Sequence, residues 1–436
     1  MTEPRSPADG RRVLTVDLDG PLDMLVDPDG PSTAMVIGYR RGVPIGTLDV
    51  ALTADPDAAR RQLAPLLAAE APRRPAPVAD ADLPSISVVV STIVDRREDL
   101  AQLLDGLAAL DYPDFDVVVV DNRTRIPADD LLPGILAGRR VRFIREARPG
   151  LSAGRNAGVA AATGTIVAFT DDDVRVEPSW LRALGSRFVW EPDLDAVTGL
   201  ILPAELETEA QLWFEAYYGG FSGERTFRPI SLGPVSRLPH LLRGSRVAVV
   251  DEHGSALREF AVYGIGAYGA GANMAFRRSA LHRVGGFDTA LGAGSPARGG
   301  EDLATIIGVL WSGGRLGFEP AAVVHHRHRR TLDELQRQLH GYGLGFTAML
   351  TSLVLGDPRH VLSLAWQVPL AGRSVVVRSV QRLFARPAAA PAPGAVPAAQ
   401  HPRSLMLHEL RGYPAGPVAY LRSRRRWRTL PPAPPA

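Results

Sequence analysis

Short apolar segments alternate with polar, glycine-containing segments between residues 85 and 330. Residues 86–90 and 116–120 are continuously apolar and rich in valine, which is typical of strands buried on both faces of a sheet. Leucines between residues 100 and 107 recur at the spacing of one helix face. This strand–helix–strand alternation predicts an α/β fold with a mostly parallel, Rossmann-like sheet flanked by helices. Residues 219–260, rich in glycine, arginine and serine, support no such prediction.

The pattern changes on both sides of this α/β domain, and we therefore divide the chain into five parts. Residues 1–70 hold short β-like runs and one helical stretch, which predicts a small β-rich module. Residues 71–84 are rich in proline and alanine and indicate a linker before the domain at 85–330. Residues 331–386 are predicted to be helical with a break at a Gly-Asp-Pro sequence, and residues 387–436 to be a Pro/Ala-rich spacer and a basic tail.

Composition excludes several kinds of function. The net formal charge of +2 provides no overall electrostatic attraction to nucleic acid, and the absence of cysteine excludes disulfides and thiol catalysis. The first residues lack the apolar core of a signal peptide, and no apolar run approaches the ~20 residues that span a bilayer. We therefore expect a cytoplasmic protein, with a basic C-terminal cluster that could contact the inner face of a membrane. The cluster consists of Arg422, Arg424, Arg425, Arg426 and Arg428.

Three consecutive aspartates, Asp171, Asp172 and Asp173, directly follow the apolar segment 165–169. Carboxylates this close repel one another unless a cation neutralises them. Open α/β sheets bind ligands at the C-terminal ends of their strands, so this position predicts a metal ion and a phosphorylated ligand. The alternative is that the aspartates cap the helix near Pro178, although a cap requires only one acid.

Two further strand ends carry candidate ligand-binding residues. Residues 147–164 place glycines at a helix start, where backbone N–H groups favour anions, and this segment contains Arg155 and Asn156. The alternative is a Gly/Ala helix packed tightly on the sheet. Asp121 follows the second predicted strand and could bind a base or a ribose, although an aspartate in this position is more often a turn residue or a helix cap.

Two acids and three histidines lie near the end of the α/β domain. Glu301 and Asp302 open an apolar helix, where acids also simply favour the helix dipole. His325, His326 and His328 follow a short strand-like run. Three histidines within four residues are as consistent with a metal ligand as with structural roles.

In their order along the chain, these segments resemble family 2 glycosyltransferases of the GT-A fold. The resembling motifs are SVVVST, VVVVDN, ARPGLSAGRNAG, AFTDDDV, GANMAFRRSALHRVGGFD, GGEDL and VVHHRHR, and they span about residues 85–330. The resemblance implies an inverting enzyme that moves a sugar from a nucleoside-diphosphate sugar to a hydroxyl of a saccharide, a lipid-linked saccharide or a small molecule. It also implies Mn²⁺ or Mg²⁺ on a DxD motif, and a role in cell-surface polysaccharide, glycolipid or natural-product glycosylation.

The resemblance assigns roles to individual residues. Asp173 and Asp171 would form the DxD pair, with Asp173 on the metal and Asp171 near the ribose. His326 would reach the metal or the diphosphate. Asp302 would be the general base, with Glu301 beside it.

The nucleotide-sugar donor is expected to contact a larger set of residues at the strand ends. The nucleotide base would lie against the end of the first strand and the acid after the second. The first strand ends in Ser-Thr where the family usually has Pro-Thr, so the donor base is not predicted. The expected donor-binding residues are Thr92, Asp121, Arg155, Asn156, Asp171 and Asp172.

Two alternative functions would use the same acids. The first is a metal-dependent nucleotidyltransferase or a retaining GT-A enzyme, and the second is a non-catalytic protein that binds nucleotide sugars. A nucleotidyltransferase would release pyrophosphate, whereas a glycosyltransferase would release a nucleoside diphosphate. The presence of both the metal acids and the Glu301–Asp302 pair argues against a non-catalytic site.

Overall fold

The computed structural model describes residues 10–22, 33–53, 55–221, 225–236, 239–367, 402 and 404–430. These residues form a small N-terminal sheet, a large mixed sheet with helices packed on it, and a group of C-terminal helices. The predicted α/β class, the β-rich N-terminal module and the helical C-terminal region are confirmed.

The N-terminal module consists of β1 (Arg12–Asp17), β2 (Thr33–Arg40), β3 (Val43–Ala51) and α1 (Pro56–Ala68). Strand β1 pairs parallel to β2, and β2 pairs antiparallel to β3. Leu63 of α1 is fully buried against this sheet in a core of its own. The module therefore has the separate apolar core expected of a small domain.

The large sheet has eleven strands in the order β12-β11-β10-β14-β9-β13-β7-β4-β5-β6, with β8 paired to β14. Pairing is parallel along β7-β4-β5-β6 and between β9 and β14, and antiparallel elsewhere, so the sheet is mixed. Its strands are β4 (Ile86–Thr92), β5 (Phe115–Asp121), β6 (Arg142–Arg145), β7 (Ile166–Thr170), β8 (Val174–Val176), β9 (Ala196–Pro203), β10 (Ile230–Pro234), β11 (Arg246–Asp251), β12 (Ala256–Ala261), β13 (Met274–Arg277) and β14 (Leu316–His326).

Alternate side chains of the central strands enter two different cores. In β4, Val88 and Val90 join one core, and Val89 joins the other. The first core includes leucines of α2 and α5, and the second includes Val159 of α4, so the helices cover both faces. The helices of this domain are α2 (Arg97–Ala108), α3 (Leu132–Leu136), α4 (Leu151–Ala161), α5 (Trp180–Trp190), α6 (Glu209–Tyr218), α7 (Arg278–Val284) and α8 (Glu301–Trp311).

Strands β10, β11 and β12 occupy the segment for which the sequence pattern predicts no regular structure. Ile230 and Leu232 of β10 are buried where this strand pairs with β14. The outermost strand, β12, buries none of its residues fully, and Leu257 is largely exposed. Pairing with the sheet therefore holds these strands, and their own apolar pattern is too weak to predict them.

The C-terminal region begins with α9 (Leu332–Gly356), and residues 359–367 are again helical after the predicted break. Helices α10 (Ser404–Gly412) and α11 (Gly416–Thr429) pack against α9, so the predicted basic tail is helical. The helix predicted for residues 368–386 and the spacer predicted for 387–398 lie outside the described residues. None of the described helices has both the length and the apolar character needed to cross a bilayer.

The predicted linker lies against the large domain. Arg74 pairs with the fully buried Glu319 of β14 and its guanidinium lies 5.7 Å from the centre of the Trp190 ring. The indole N–H of Trp190 donates to the carbonyl oxygen of Ala76 at 3.1 Å. These contacts hold the segment in place because a buried carboxylate requires a partner.

Candidate active site

The candidate site lies at the C-terminal edge of strands β4, β5, β7 and β14. The three aspartates follow β7, and β8 pairs antiparallel with the end of β14, which places His326 opposite Val174. Nε2 of His326 lies 3.3 Å from a carboxylate oxygen of Asp173. One ligand atom from each of Asp171, Asp173 and His326 can be chosen so that all three lie within 4.8 Å of one another.

These three side chains suit a divalent metal ion. Burial lowers the pKa of His326, which favours the neutral imidazole that binds metals. Within the part of the chain that the structure describes, its buried Nδ1 has no hydrogen-bond partner. Two carboxylates and one imidazole fit a transition ion such as Mn²⁺ better than Mg²⁺, whose usual ligands are oxygen atoms.

The other two histidines of the motif have different partners. Nε2 of His325 lies 3.1 Å from Glu177, and Nε2 of His328 lies 2.6 Å from Glu215. Glu215 also pairs with Arg225 at 2.7 Å, and this guanidinium and the hydrogen bond from His328 hold the pKa of Glu215 at about 2 against the effect of burial. His325 and His328 therefore hold neighbouring segments together, and only His326 joins the acids.

Thr92 connects the end of β4 to the acidic cluster. Its hydroxyl donates to Asp172 at 2.5 Å and accepts the backbone N–H of Val94 at 2.9 Å. Burial raises the pKa of Asp172. Val94 has a φ of +60°, a left-handed conformation that is strained for a β-branched residue and typical of functional sites.

Arg155 lies fully buried beneath the acids. Its guanidinium donates to Glu301 at 2.8 Å, to Asp171 at 3.1 Å and to the carbonyl oxygen of Gly271 at 3.1 Å. A Cβ on Gly271 would lie 2.6 Å from Nη2 of Arg155, so this close approach requires glycine. Burial and the charge of Asp302 raise the pKa of Glu301 to about 7, and Arg155 opposes this shift.

Glu301 and Asp302 are neighbours with different surroundings. Glu301 is buried on Arg155, whereas Asp302 is half-buried. The carboxylate of Asp302 accepts the backbone N–H groups of Leu303 at 2.8 Å and Gly271 at 2.7 Å. Gly300, with a φ of +86°, begins this turn, and α8 follows at Glu301. Asp302 is thus held in a fixed orientation while its side chain remains partly accessible.

Two cavities meet at this site. The larger has a volume of about 1120 Å³ and is lined by Glu301 and Asp302, and the smaller has about 740 Å³ and is lined by Thr92 and residues 122–125. Each is large enough for a nucleotide-sized ligand, since ligand cavities commonly measure ~300–1,000 Å³. Residues that line both cavities include Arg96, Asp171, His326 and Arg329.

Two expected donor contacts lie elsewhere. Asp121 is fully buried, and both of its carboxylate oxygens accept from the guanidinium of Arg123 at 2.8 Å. Arg123 itself lines the smaller cavity. Its place shortly after the second predicted strand is the sequence feature that could have marked it as a ligand-binding residue. Asn156 exchanges two hydrogen bonds with the backbone of Phe287 at 2.8 and 2.9 Å and lines neither cavity.

Residues 87–285 match the family model for glycosyl transferase family 2. This segment therefore resembles a family 2 glycosyltransferase domain. This confirms the resemblance of the motifs.

Several curated relatives carry related domains. This chain is similar to the glucosyl-dolichyl phosphate glucuronosyltransferase of Haloferax volcanii, with 25% identity over 48% of this chain and 57% of that protein. It is also similar to the pre-mycofactocin glycosyltransferase of Mycobacterium tuberculosis, with 27% identity over 56% of this chain and 43% of that protein. The succinoglycan biosynthesis protein ExoM of Rhizobium meliloti is 25% identical over 66% of this chain and 81% of its own length. The chain thus spans about half the length of the first two relatives.

Solved structures show a weaker likeness. A mannosyltransferase of Pyrobaculum calidifontis, solved with GDP-Man and Mn²⁺, has a TM-score of 0.40 and 16% identity, over 82% of this chain and 92% of that one. TarS of S. aureus, residues 1–349, has a TM-score of 0.37 and 16% identity, over 61% of this chain and 65% of that one. Neither likeness bears on the donor, the metal or the acceptor of this chain.

Proposed function

We propose that this chain transfers a sugar from a nucleoside-diphosphate sugar to an acceptor hydroxyl with inversion at the anomeric carbon. The observation that carries the proposal is the meeting of two cavities at Asp171 and His326, with Asp302 in the larger one. The donor nucleotide would occupy the smaller cavity and the acceptor the larger. The transferred sugar would lie where the two meet.

The smaller cavity suits a nucleoside diphosphate. It is lined by Thr92 and Arg123 at the strand ends and by Arg96 and Arg329 where it joins the larger cavity. The side chains of Arg96 and Arg329 are 34% and 32% exposed, so a ligand can reach both guanidinium groups. Arginine binds phosphate oxygens through two parallel N–H groups, which makes these two residues candidates for the diphosphate.

Asp171, Asp173 and His326 would hold the divalent ion. Such an ion, when bound, supplies Lewis-acid neutralisation of the charge on the departing diphosphate. The guanidinium of Arg96 hydrogen-bonds to Asp173, so a metal ion has to compete with this arginine for the carboxylate. Arg155 separately keeps Asp171 in place from beneath.

The reaction requires one proton transfer and one displacement. The acceptor hydroxyl gives its proton to the carboxylate of Asp302 while its oxygen forms a bond to the anomeric carbon. The bond from that carbon to the phosphate oxygen breaks, and its electron pair leaves with the nucleoside diphosphate. A single displacement inverts the anomeric carbon. Asp302 suits the role of general base better than Glu301 does, because Glu301 is buried in an ion pair with Arg155.

The test begins with a thermal-shift screen of nucleotide sugars with Mn²⁺ or Mg²⁺, since a ligand of the folded state stabilises it. With the donor so identified, Asp302→Asn should lower turnover by about 10²–10⁴-fold and change donor affinity only slightly. The control is Asp333→Asn, which also replaces an acid in the first turn of a helix but lies at an exposed position of α9. Unchanged turnover in Asp302→Asn would refute the assignment of the base, and a product of retained configuration would refute the single displacement.

The proposed role is glycan or glycoconjugate assembly. The relatives are named for a dolichyl-phosphate-linked glucose, for pre-mycofactocin and for succinoglycan, which supports an acceptor in polysaccharide, glycolipid or natural-product synthesis. Peripheral contact with an anionic membrane through the arginines of α11 is part of the same proposal. Co-sedimentation with anionic liposomes, compared between the full chain and a variant with these arginines replaced by glutamine, tests it.

A further inference from the structure

The larger cavity has a wall that comes from beyond the segment matched by the family model, which ends at residue 285. Helix α9 contributes Tyr342 and Phe346 to this wall, α10 contributes Glu409, and the turn after α10 contributes Tyr413. Asp302 lines the same cavity. An acceptor that reaches Asp302 therefore has these C-terminal side chains around it.

Direct helix contacts hold this wall in place. A Cβ on Gly343 would lie 2.0 Å from the carbonyl oxygen of Glu409, and a Cβ on Gly412 would lie 2.3 Å from that of His340. The hydroxyl of Thr347 donates to the carbonyl oxygen of Tyr413 at 2.7 Å. Helices α9 and α10 are thus in backbone contact, which only glycine permits at these positions. This contact fixes the position of the wall relative to α9.

The polar groups of the wall are also fixed. The carboxylate of Glu409 accepts the hydroxyl of Tyr217 at 2.9 Å and the hydroxyl of Tyr413 at 2.8 Å. The amide of Gln338 donates to the hydroxyl of Tyr342 at 2.7 Å. The hydroxyl of Tyr218 also hydrogen-bonds to Glu409. Because a carboxylate has about four acceptor positions, these three bonds leave Glu409 able to accept one more from a ligand.

Three separate pairs of aromatic rings contribute to the lining of the cavity. The ring centroids within the pairs are 4.5, 5.4 and 6.2 Å apart. Among the described residues that line the cavity, Leu151 and Leu303 are the largest aliphatic side chains. The ring pairs are His326 with Phe221, Tyr218 with Tyr342, and Phe346 with Tyr413.

We propose, on the basis of the function proposed above, that this wall binds a saccharide acceptor. A pyranose ring offers apolar C–H faces, which complement the negative faces of aromatic rings, and hydroxyl edges, which complement Glu409 and Gln338. A hydrocarbon chain would be complemented by aliphatic side chains, which this wall largely lacks. The volume of about 1120 Å³ accommodates the transferred sugar together with more than one acceptor ring.

The test measures binding of maltose, cellobiose, lactose and N,N′-diacetylchitobiose to the full chain by saturation-transfer NMR and calorimetry, with dodecyl phosphate as the hydrocarbon probe. Phe346→Leu and Tyr413→Leu remove a ring but keep apolar volume. Phe143→Leu is the matched control, because Phe143 is a half-exposed ring on β6 that lines neither cavity. UDP and GDP binding with Mn²⁺ is measured in the same samples.

We expect at least one disaccharide to bind, and each leucine variant of the wall to weaken it by about fivefold, the effect of one aromatic contact. The control should bind as the unmodified chain does. The inference is overturned if no disaccharide binds, if the wall variants bind as the control does, or if dodecyl phosphate displaces the disaccharide. Nucleotide binding that persists in these cases would leave the proposed function standing, whereas loss of nucleotide binding in the unmodified chain would count against that function itself.

Discussion

Replacing Arg155 by methionine should destabilise the protein strongly and in a pH-dependent way. Arg155 is a fully buried cation between Glu301 and Asp171, and it also donates to the carbonyl oxygen of Gly271. Methionine retains much of the apolar stem but removes all three interactions. The substitution therefore leaves the buried Glu301 and the partly exposed Asp171 without their cation.

The expected loss is about 3–5 kcal/mol in the free energy of unfolding at pH 8.5, the usual effect of removing one partner from a buried ion pair. The pKa of Glu301 is already raised by burial to about 7, so the stability that this group contributes is present at low pH and is lost as pH rises through that value. Without Arg155, which lowers the pKa of Glu301, that pKa rises further. The extra destabilisation is therefore largest above pH 7 and smaller at pH 5.5, where Glu301 is protonated in both proteins.

Urea denaturation at pH 5.5 and pH 8.5 measures both effects. The double variant Arg155→Met/Glu301→Gln should regain part of the stability at pH 8.5, because the unpaired charge at position 301 is gone. Arg142→Met is the control, since Arg142 forms an exposed pair with Asp116 and should cost less than ~1 kcal/mol. The reasoning is refuted if Arg155→Met is equally destabilising at both pH values and Glu301→Gln restores nothing.

Two other substitutions test neighbouring contacts. Gly343→Ala should lower the free energy of unfolding by about 1–3 kcal/mol, because its Cβ would clash with the carbonyl oxygen of Glu409. The control is Gly356→Ala in the same helix, which should be neutral or stabilising because no atom lies within 4 Å of the added Cβ. Equal urea midpoints for the two variants would contradict this reasoning. Arg96→Ala should tighten Mn²⁺ binding by about fivefold, because the ion no longer competes with the arginine for the carboxylate of Asp173. Calorimetry without nucleotide measures this affinity, and unchanged or weaker binding would contradict the competition.

The sequence by itself determined the central strands, the helices between them and the position of the acids. Strands buried on both faces are continuously apolar, and helices repeat their apolar positions every three to four residues, so both patterns are local. The aspartates at 171–173 follow their strand directly, which places them at the ligand-binding edge without knowledge of any distant contact. The order of the motifs was sufficient to predict the resemblance to the family, and the match over residues 87–285 confirms this resemblance.

Contacts between distant segments were decided by the tertiary structure alone. The local pattern did not distinguish the three histidines near the end of the domain, and only the family resemblance pointed to His326. The pairing of β14 with β8 brings this histidine to Asp173. Arg155 meets Glu301 across 146 residues of sequence, and no local pattern encodes such a pair. Strand β10 forms because β14 offers it hydrogen-bonding partners, and β11 and β12 then pair with β10 and with each other in turn.

The surroundings of the proposed acceptor were likewise decided by contacts between distant segments. Its aromatic wall joins side chains from α6, α9 and the turn after α10, which the glycine contacts of α9 and α10 bring to one cavity. In the sequence, each of these side chains has the pattern of an ordinary core or surface residue. Local periodicity therefore predicted where the sheet and its acids lie, and the packing of helices far apart in the chain decided what surrounds the reacting groups.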